Sequence, residues 1–142
     1  MNKHQRREPC GNCPFRKDAP LAYWHPSQYQ MLADIERTEG DPDVRRIFAC
    51  HKDRTKPPEE REYCVGWLIN QRDNGIPNLA LRMALMFGPN TEALGKQLDE
   101  SHPPEGVDLY ASVTELVRLN IDRDQELNPH RYRTEDEQDT NR

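Results

Sequence analysis

Apolar positions along the chain come in short patches, set apart by polar and proline-rich stretches. The stretch HPSQYQMLADIERTEG, residues 25–40, predicts a helix. Pro26 suits a first turn, Tyr29, Leu32, Ala33 and Ile35 or Glu36 fall near one face, and Gly40 is a stop. DPDVRRIFACHKD, 41–53, reads as a turn or helical start leading into a brief apolar segment from Ile47 to Cys50, and RTKPPEERE, 54–62, as a loop. YCVGWLINQ, 63–71, restarts order as a helix. IPNLALRMALMFGP, 76–89, is the most apolar stretch: Asn78 can cap it, its leucines and methionines make it apolar nearly all round, and Gly88 and Pro89 end it. TEALGKQLDE, 91–100, is a weak helix containing Gly95. DLYASVTELVRLNIDRD, 108–124, is amphipathic, with Leu109, Val113, Leu116, Val117 and Asn120 or Ile121 on one face. From Asn128 onward the chain is charged and poor in apolar residues, which predicts a disordered tail over 128–142. No internal repeat and no β-hairpin signal stands out.

Composition adds a constraint. A length of 142 residues fits one domain, expected over 1–127, yet only 34% of residues are hydrophobic, 12 are proline and the mean hydropathy is -1.08. So thin a core calls for a covalent or metal staple. The net charge of -5 excludes a general polyanion binder, but the charge is uneven. Residues 1–67 hold 12 Lys and Arg against 11 Asp and Glu, whereas residues 68–142 hold 8 against 14. No apolar stretch is long enough to span a membrane, and MNKHQRRE has no apolar run behind it, so a cytoplasmic protein with reduced thiols is expected.

The four cysteines are Cys10, Cys13, Cys50 and Cys64, spaced C-x2-C, then 36 residues, then C-x13-C. Gly11 and Asn12 tolerate left-handed dihedrals and Pro14 fixes the exit, so CGNCPF reads as a tight turn with both sulfurs on one side. Four thiolates are what a tetrahedral zinc or a four-iron, four-sulfur cluster uses. The other two come from distant segments, so an ion would tie the turn, the middle loop and the start of the Cys64 helix together. The four thiolates around Zn²⁺ carry a formal charge that Arg16, Lys17, His51, Lys52 and Arg54, all near a ligand in sequence, would offset. Against this stands a plainer reading, in which one or two cysteines are merely buried. His51 is either an alternative ligand to a cysteine or a hydrogen-bond donor to a ligating thiolate; Cys50 as ligand with His51 behind it is the arrangement favoured here.

A thioredoxin-type dithiol would need a buried strand before CGNC, and NKHQRREP cannot be one. Cys13-Pro14 matches the proline that follows a ligand in some ferredoxins, but the spacing is not a ferredoxin run. Zinc tolerates many spacings and is the first expectation, with a 4Fe-4S cluster as the alternative. The fold class expected is a mostly α, loop-rich small domain organised around a four-cysteine metal site.

CGNCPFRKD, then FACH, then CVGWL, then NLALRMAL together resemble a small family of unassigned function from actinobacteria and bacteriophages. Its members show C-x-x-C-P-aromatic-Arg, an aromatic-x-Cys-His, and Cys-x-Gly-Trp followed by an Asn-Leu-x-Arg-like helix. The resemblance covers about residues 8–88, leaving 89–127 as a helical extension. It implies that Cys10, Cys13, Cys50 and Cys64 are metal ligands and that His51, Gly66 and Trp67 belong to the same motif. It implies no activity.

No Ser/His/Asp set, paired carboxylate motif or phosphate-cradling glycine loop occurs, and four thiolates close a zinc site, so a binding or regulatory role is expected before catalysis. One binding hypothesis is a zinc-dependent nucleic-acid module, with Arg16, Lys17, Arg45 and Arg46 as contacts among interleaved Phe15, Trp24, Phe48 and Trp67. The other is a protein partner, basic in character, met by the acidic segment 108–139. Packed aromatics and a solvated tail are the bland counterparts of these readings.

Overall fold

The computed structural model describes residues 6–37, 48–49, 57, 62–73 and 77–132. Among them the chain is helical, with α1 over Pro26–Arg37, α2 over Val65–Asp73, α3 over Leu79–Phe87, α4 over Thr91–Glu100 and α5 over Val113–Leu127. A 3-10 turn, Pro129–Tyr132, follows α5. The only β-type pairing among the described residues is two isolated antiparallel bridges, Arg16 with Leu109 and Ala49 with Tyr63.

Helix α2 is the centre. Every residue from Val65 to Gln71 is buried, including two amides. Buried amides are tolerable only when hydrogen-bonded. Asn70 Nδ2 donates to the Ala111 carbonyl at 2.8 Å, and Gln71 Oε1 accepts the Asn78 N–H at 2.7 Å. Asn78 in turn caps α3, its Oδ1 accepting from the Leu81 N–H at 2.9 Å. One amide relay thus fixes how α3 leaves α2. Gly88 and Pro89 turn the chain back into α4, which packs on both α3 and α2. The Arg72 guanidinium closes the end of α4 by donating to the carbonyls of Leu98 and Ser101, both at 2.7 Å.

The other pair is α1 on α5, joined through Tyr29, Leu32, Ile35, Val113 and Leu116, all buried. The amphipathic pattern places α5 correctly but misjudges its start. Leu109 is not on the helix; it bridges to Arg16, and Ser112 caps α5 by accepting the Glu115 N–H at 3.1 Å. Ser112 and Glu115 have the spacing of a capping box, a local signal stronger than the apolar period running through it. The chain also stays ordered beyond Asn128. Asp124, only 1% exposed, accepts from Asn128 Nδ2 at 3.0 Å, an Arg131 guanidinium nitrogen at 2.8 Å and the Tyr132 hydroxyl at 2.6 Å. That carboxylate anchors Asn128–Tyr132, residues expected to belong to the tail.

Helix α3 is the least buried for its composition. Leu81 alone is fully inside, whereas Met86 is 69% and Phe87 75% exposed. No described helix is long and apolar enough to cross a membrane.

The N-terminal segment ties these parts together. Gln97 Nε2 donates to the Arg6 carbonyl at 3.0 Å, and the His102 N–H to the Arg7 carbonyl at 2.9 Å. Further on, the Tyr110 N–H donates to the Phe15 carbonyl and the Lys17 N–H to the Asp108 carbonyl. The cysteine turn is therefore strapped against the end of α4 on one side and the α4–α5 connection on the other.

Candidate metal centre

The turn forms as its residues dictate: the Cys13 N–H donates to the Cys10 carbonyl and the Arg16 N–H to the Cys13 carbonyl, each at 3.0 Å. Two successive tight turns bring Cys13, Pro14 and Phe15 inside and leave Cys10 half-buried. Cys64 reaches the same place from another direction. Its N–H donates to the Phe48 carbonyl at 2.9 Å, and its own carbonyl accepts the Leu68 N–H at 3.0 Å, which makes it the N-terminal cap residue of α2. Phe48 and Ala49, the residues just before Cys50 in sequence, pair with Tyr63 and Cys64.

Cys13 and Cys64, 51 positions apart, bring their sulfurs to 3.7 Å from each other without a disulfide bond between them. Both are buried, at 1% and 4% exposure. The close approach depends on Gly66. A Cβ at that position would stand 2.6 Å from the Cys13 sulfur and 2.8 Å from Phe15 Cβ. Trp67, next along α2, is fully buried, and its ring lies parallel to that of Tyr63 with centroids 6.3 Å apart. Its indole nitrogen is buried without a hydrogen-bond partner.

Among the described residues, no group of three or more His, Cys, Asp and Glu side chains is placed to hold one ion. Cys50 and His51 lie outside the described residues, as do Arg45 and Arg46. The structure thus brings together two of the expected ligands, Cys13 and Cys64, with Cys10 packed at the edge of the same core cluster.

The cations near the turn are engaged within the chain. The Arg16 guanidinium grips Asp18 through two nitrogens, at 2.7 and 2.6 Å, and its second branch points at the Pro9 carbonyl. This hydrogen-bonded pairing raises the Arg16 pKa against the opposing effect of burial, and the nearby Cys13 and Cys10 add to the rise through their charge. Asp18 is correspondingly lowered, first by its hydrogen bond from Arg16. Lys17 sits 5.8 Å from the centre of the Tyr110 ring, within cation–π range. Arg6 pairs with Glu62 at 2.9 Å and Arg7 with Glu100 at 3.0 Å. Reasoning from sequence missed Asp18 as the partner of Arg16; the signal was its position two residues on in RKD.

A groove of about 440 Å³ between α1 and α5, floored by Ala33, Val113, Val117 and Ile121, contains none of these cysteines.

Residues 5–133 match the model of a family of unknown function, DUF6283. No curated protein and no solved structure matches the chain.

Proposed function

This chain belongs to the family of unknown function DUF6283, and we propose that it is a metal-stapled binding or regulatory domain in which Cys10, Cys13, Cys50 and Cys64 hold one structural zinc. The observation that carries this reading is the 3.7 Å between the sulfurs of Cys13 and Cys64. A tetrahedral ion with metal–sulfur bonds of about 2.3 Å holds its sulfurs about 3.8 Å apart. An S–H···S hydrogen bond also accommodates the distance. It does not account for two further cysteines in a chain only 34% hydrophobic.

The same distance favours zinc over a four-iron cluster. Cluster thiolates each bind a different iron, so the cluster body separates their sulfurs further than one shared ion does. The surroundings suit a thiolate centre. Cys64 caps the N-terminal, electropositive end of α2, and Arg16 lies close enough to sense the charge of both turn cysteines. A zinc there would supply folding energy by joining the N-terminal turn to α2, replacing core that the composition lacks. With its charge shared with Asp18, Arg16 is better suited to this local task than to phosphate binding.

Elemental analysis of freshly purified protein tests the reading. One zinc per chain in colourless protein, with loss of helical circular dichroism on adding a chelator, is the expected result. Brown protein with visible absorbance after anaerobic purification replaces zinc with the cluster, and metal-free protein that stays folded removes both.

A further inference from the structure

Beyond a metal role, we propose that Cys13 and Cys64 are a disulfide-forming pair, oxidised by a small peroxide, and that this bond is a second, alternative staple between the N-terminal turn and α2. The two sulfurs already stand 3.7 Å apart and buried. Packing sets their positions. Cys13 rests over the bare Cα of Gly66, Phe15 is wedged beside it, and Cys64 is held by backbone hydrogen bonds to Phe48 and Leu68. Forming a covalent bond of about 2.05 Å from the present 3.7 Å requires the two sulfurs to turn toward each other about their Cα–Cβ bonds.

The chemistry balances with hydrogen peroxide as the oxidant. One thiolate attacks a peroxide oxygen, the O–O bond breaks, and hydroxide leaves and is protonated to water, giving a sulfenic acid. The second thiolate attacks that sulfur, the S–S bond forms, and the sulfenic oxygen departs as a second water after taking up a proton. Two thiols and one peroxide thus become one disulfide and two waters. At exposures of 1% and 4% both sulfurs are shielded, which slows every oxidant and keeps out a bulky disulfide such as oxidised glutathione, so a small peroxide is the oxidant of choice. In a zinc-loaded chain the reaction removes two of four ligands and releases the ion; that consequence alone rests on the zinc reading.

The test uses the full chain, purified under reducing conditions and then exposed to hydrogen peroxide beside a chromogenic zinc chelator. After alkylation and tryptic digestion, linked peptides are mapped by mass spectrometry. Trypsin places Cys10 and Cys13 together in residues 8–16, Cys50 in 47–52 and Cys64 in 62–72. The expected product joins 8–16 to 62–72, is reversed by dithiothreitol, and persists in Cys10→Ser, which assigns it to Cys13. A bond within 8–16, a bond to 47–52, or irreversible oxidation alone overturns the proposal. Zinc release without the linkage also overturns it while leaving the zinc reading intact; the linkage without zinc release upholds the pair and defeats the zinc reading.

Discussion

Gly66 lies against Cys13 so closely that a methyl group on it would sit 2.6 Å from the cysteine sulfur. The first turn of α2 is thus a floor for the cysteine turn, and the glycine is the condition for their contact. A helix-interior glycine otherwise costs about 1 kcal/mol against alanine. Here the gain is access of the sulfur to the helix end.

Gly66→Ala tests this directly. Cys13 and Phe15 are both buried, so one or both must shift within the core to admit the methyl group. Overpacking of this kind costs roughly 1–3 kcal/mol, despite the better helix propensity of alanine. A lowered denaturant midpoint is expected. An unchanged or raised midpoint would show that the turn does not rest on α2.

The Asp124 anchor makes the C-terminal end sensitive to both acid and alkali. Burial alone would raise the Asp124 carboxyl, but the hydrogen bonds from Tyr132 and Asn128, and the charges of Arg131 and His25, outweigh it and hold the pKa below its usual value. Its stabilising effect is therefore present above the ordinary carboxylate pKa and fades as pH falls through the lowered one. Tyr132 behaves oppositely. Burial first, then the hydrogen bond to Asp124, pushes its pKa up to about 12, so its contribution is complete below the ordinary tyrosine value and is lost as pH rises through about 12. Replacing Asp124 with Ala should cost roughly 2 kcal/mol, the scale of hydrogen bonds to a charged group. It should also bring the Tyr132 absorbance titration part of the way back toward its ordinary value, leaving the part of the shift that burial causes. A Tyr132 that titrates near 10 in the intact protein would contradict the anchor.

Ala22 has a φ of 58°, and its N–H donates to the buried Asn120 Oδ1 at 2.9 Å. A left-handed alanine costs roughly 1 kcal/mol. Glycine adopts this region freely, though it adds entropy to the unfolded chain. Ala22→Gly should therefore raise the melting temperature slightly, whereas Ala22→Val should lower it. Equal melting temperatures for all three would mean that the strain is relieved elsewhere.

Reading the helices from the sequence worked where a local device coincided with an apolar period. Asn78 and Gly88 bound α3, Pro26 opens α1, and CGNCPF makes its turn because nearest neighbours decide each of these. It failed where a buried partner outside the segment itself decides. Asn128–Tyr132 looked like tail because its charge has no local use; Asp124 supplies one, and burial of that carboxylate is a tertiary event. The apolar composition of α3 does not translate into burial, since Leu81 alone is fully inside, while α2 takes the centre because Asn70 and Gln71 find partners on other segments.

At the cysteines the division is the same. The C-x2-C turn was already legible, because turn geometry is a property of a few adjacent residues. The convergence of the cysteines was an expectation from their number alone, with no physical means in the sequence of bringing them together. That Cys13 finds Cys64, across 51 positions and over a glycine, depends on α2 packing beneath the turn. Only the closure of the tertiary structure brings the two sulfurs within 3.7 Å.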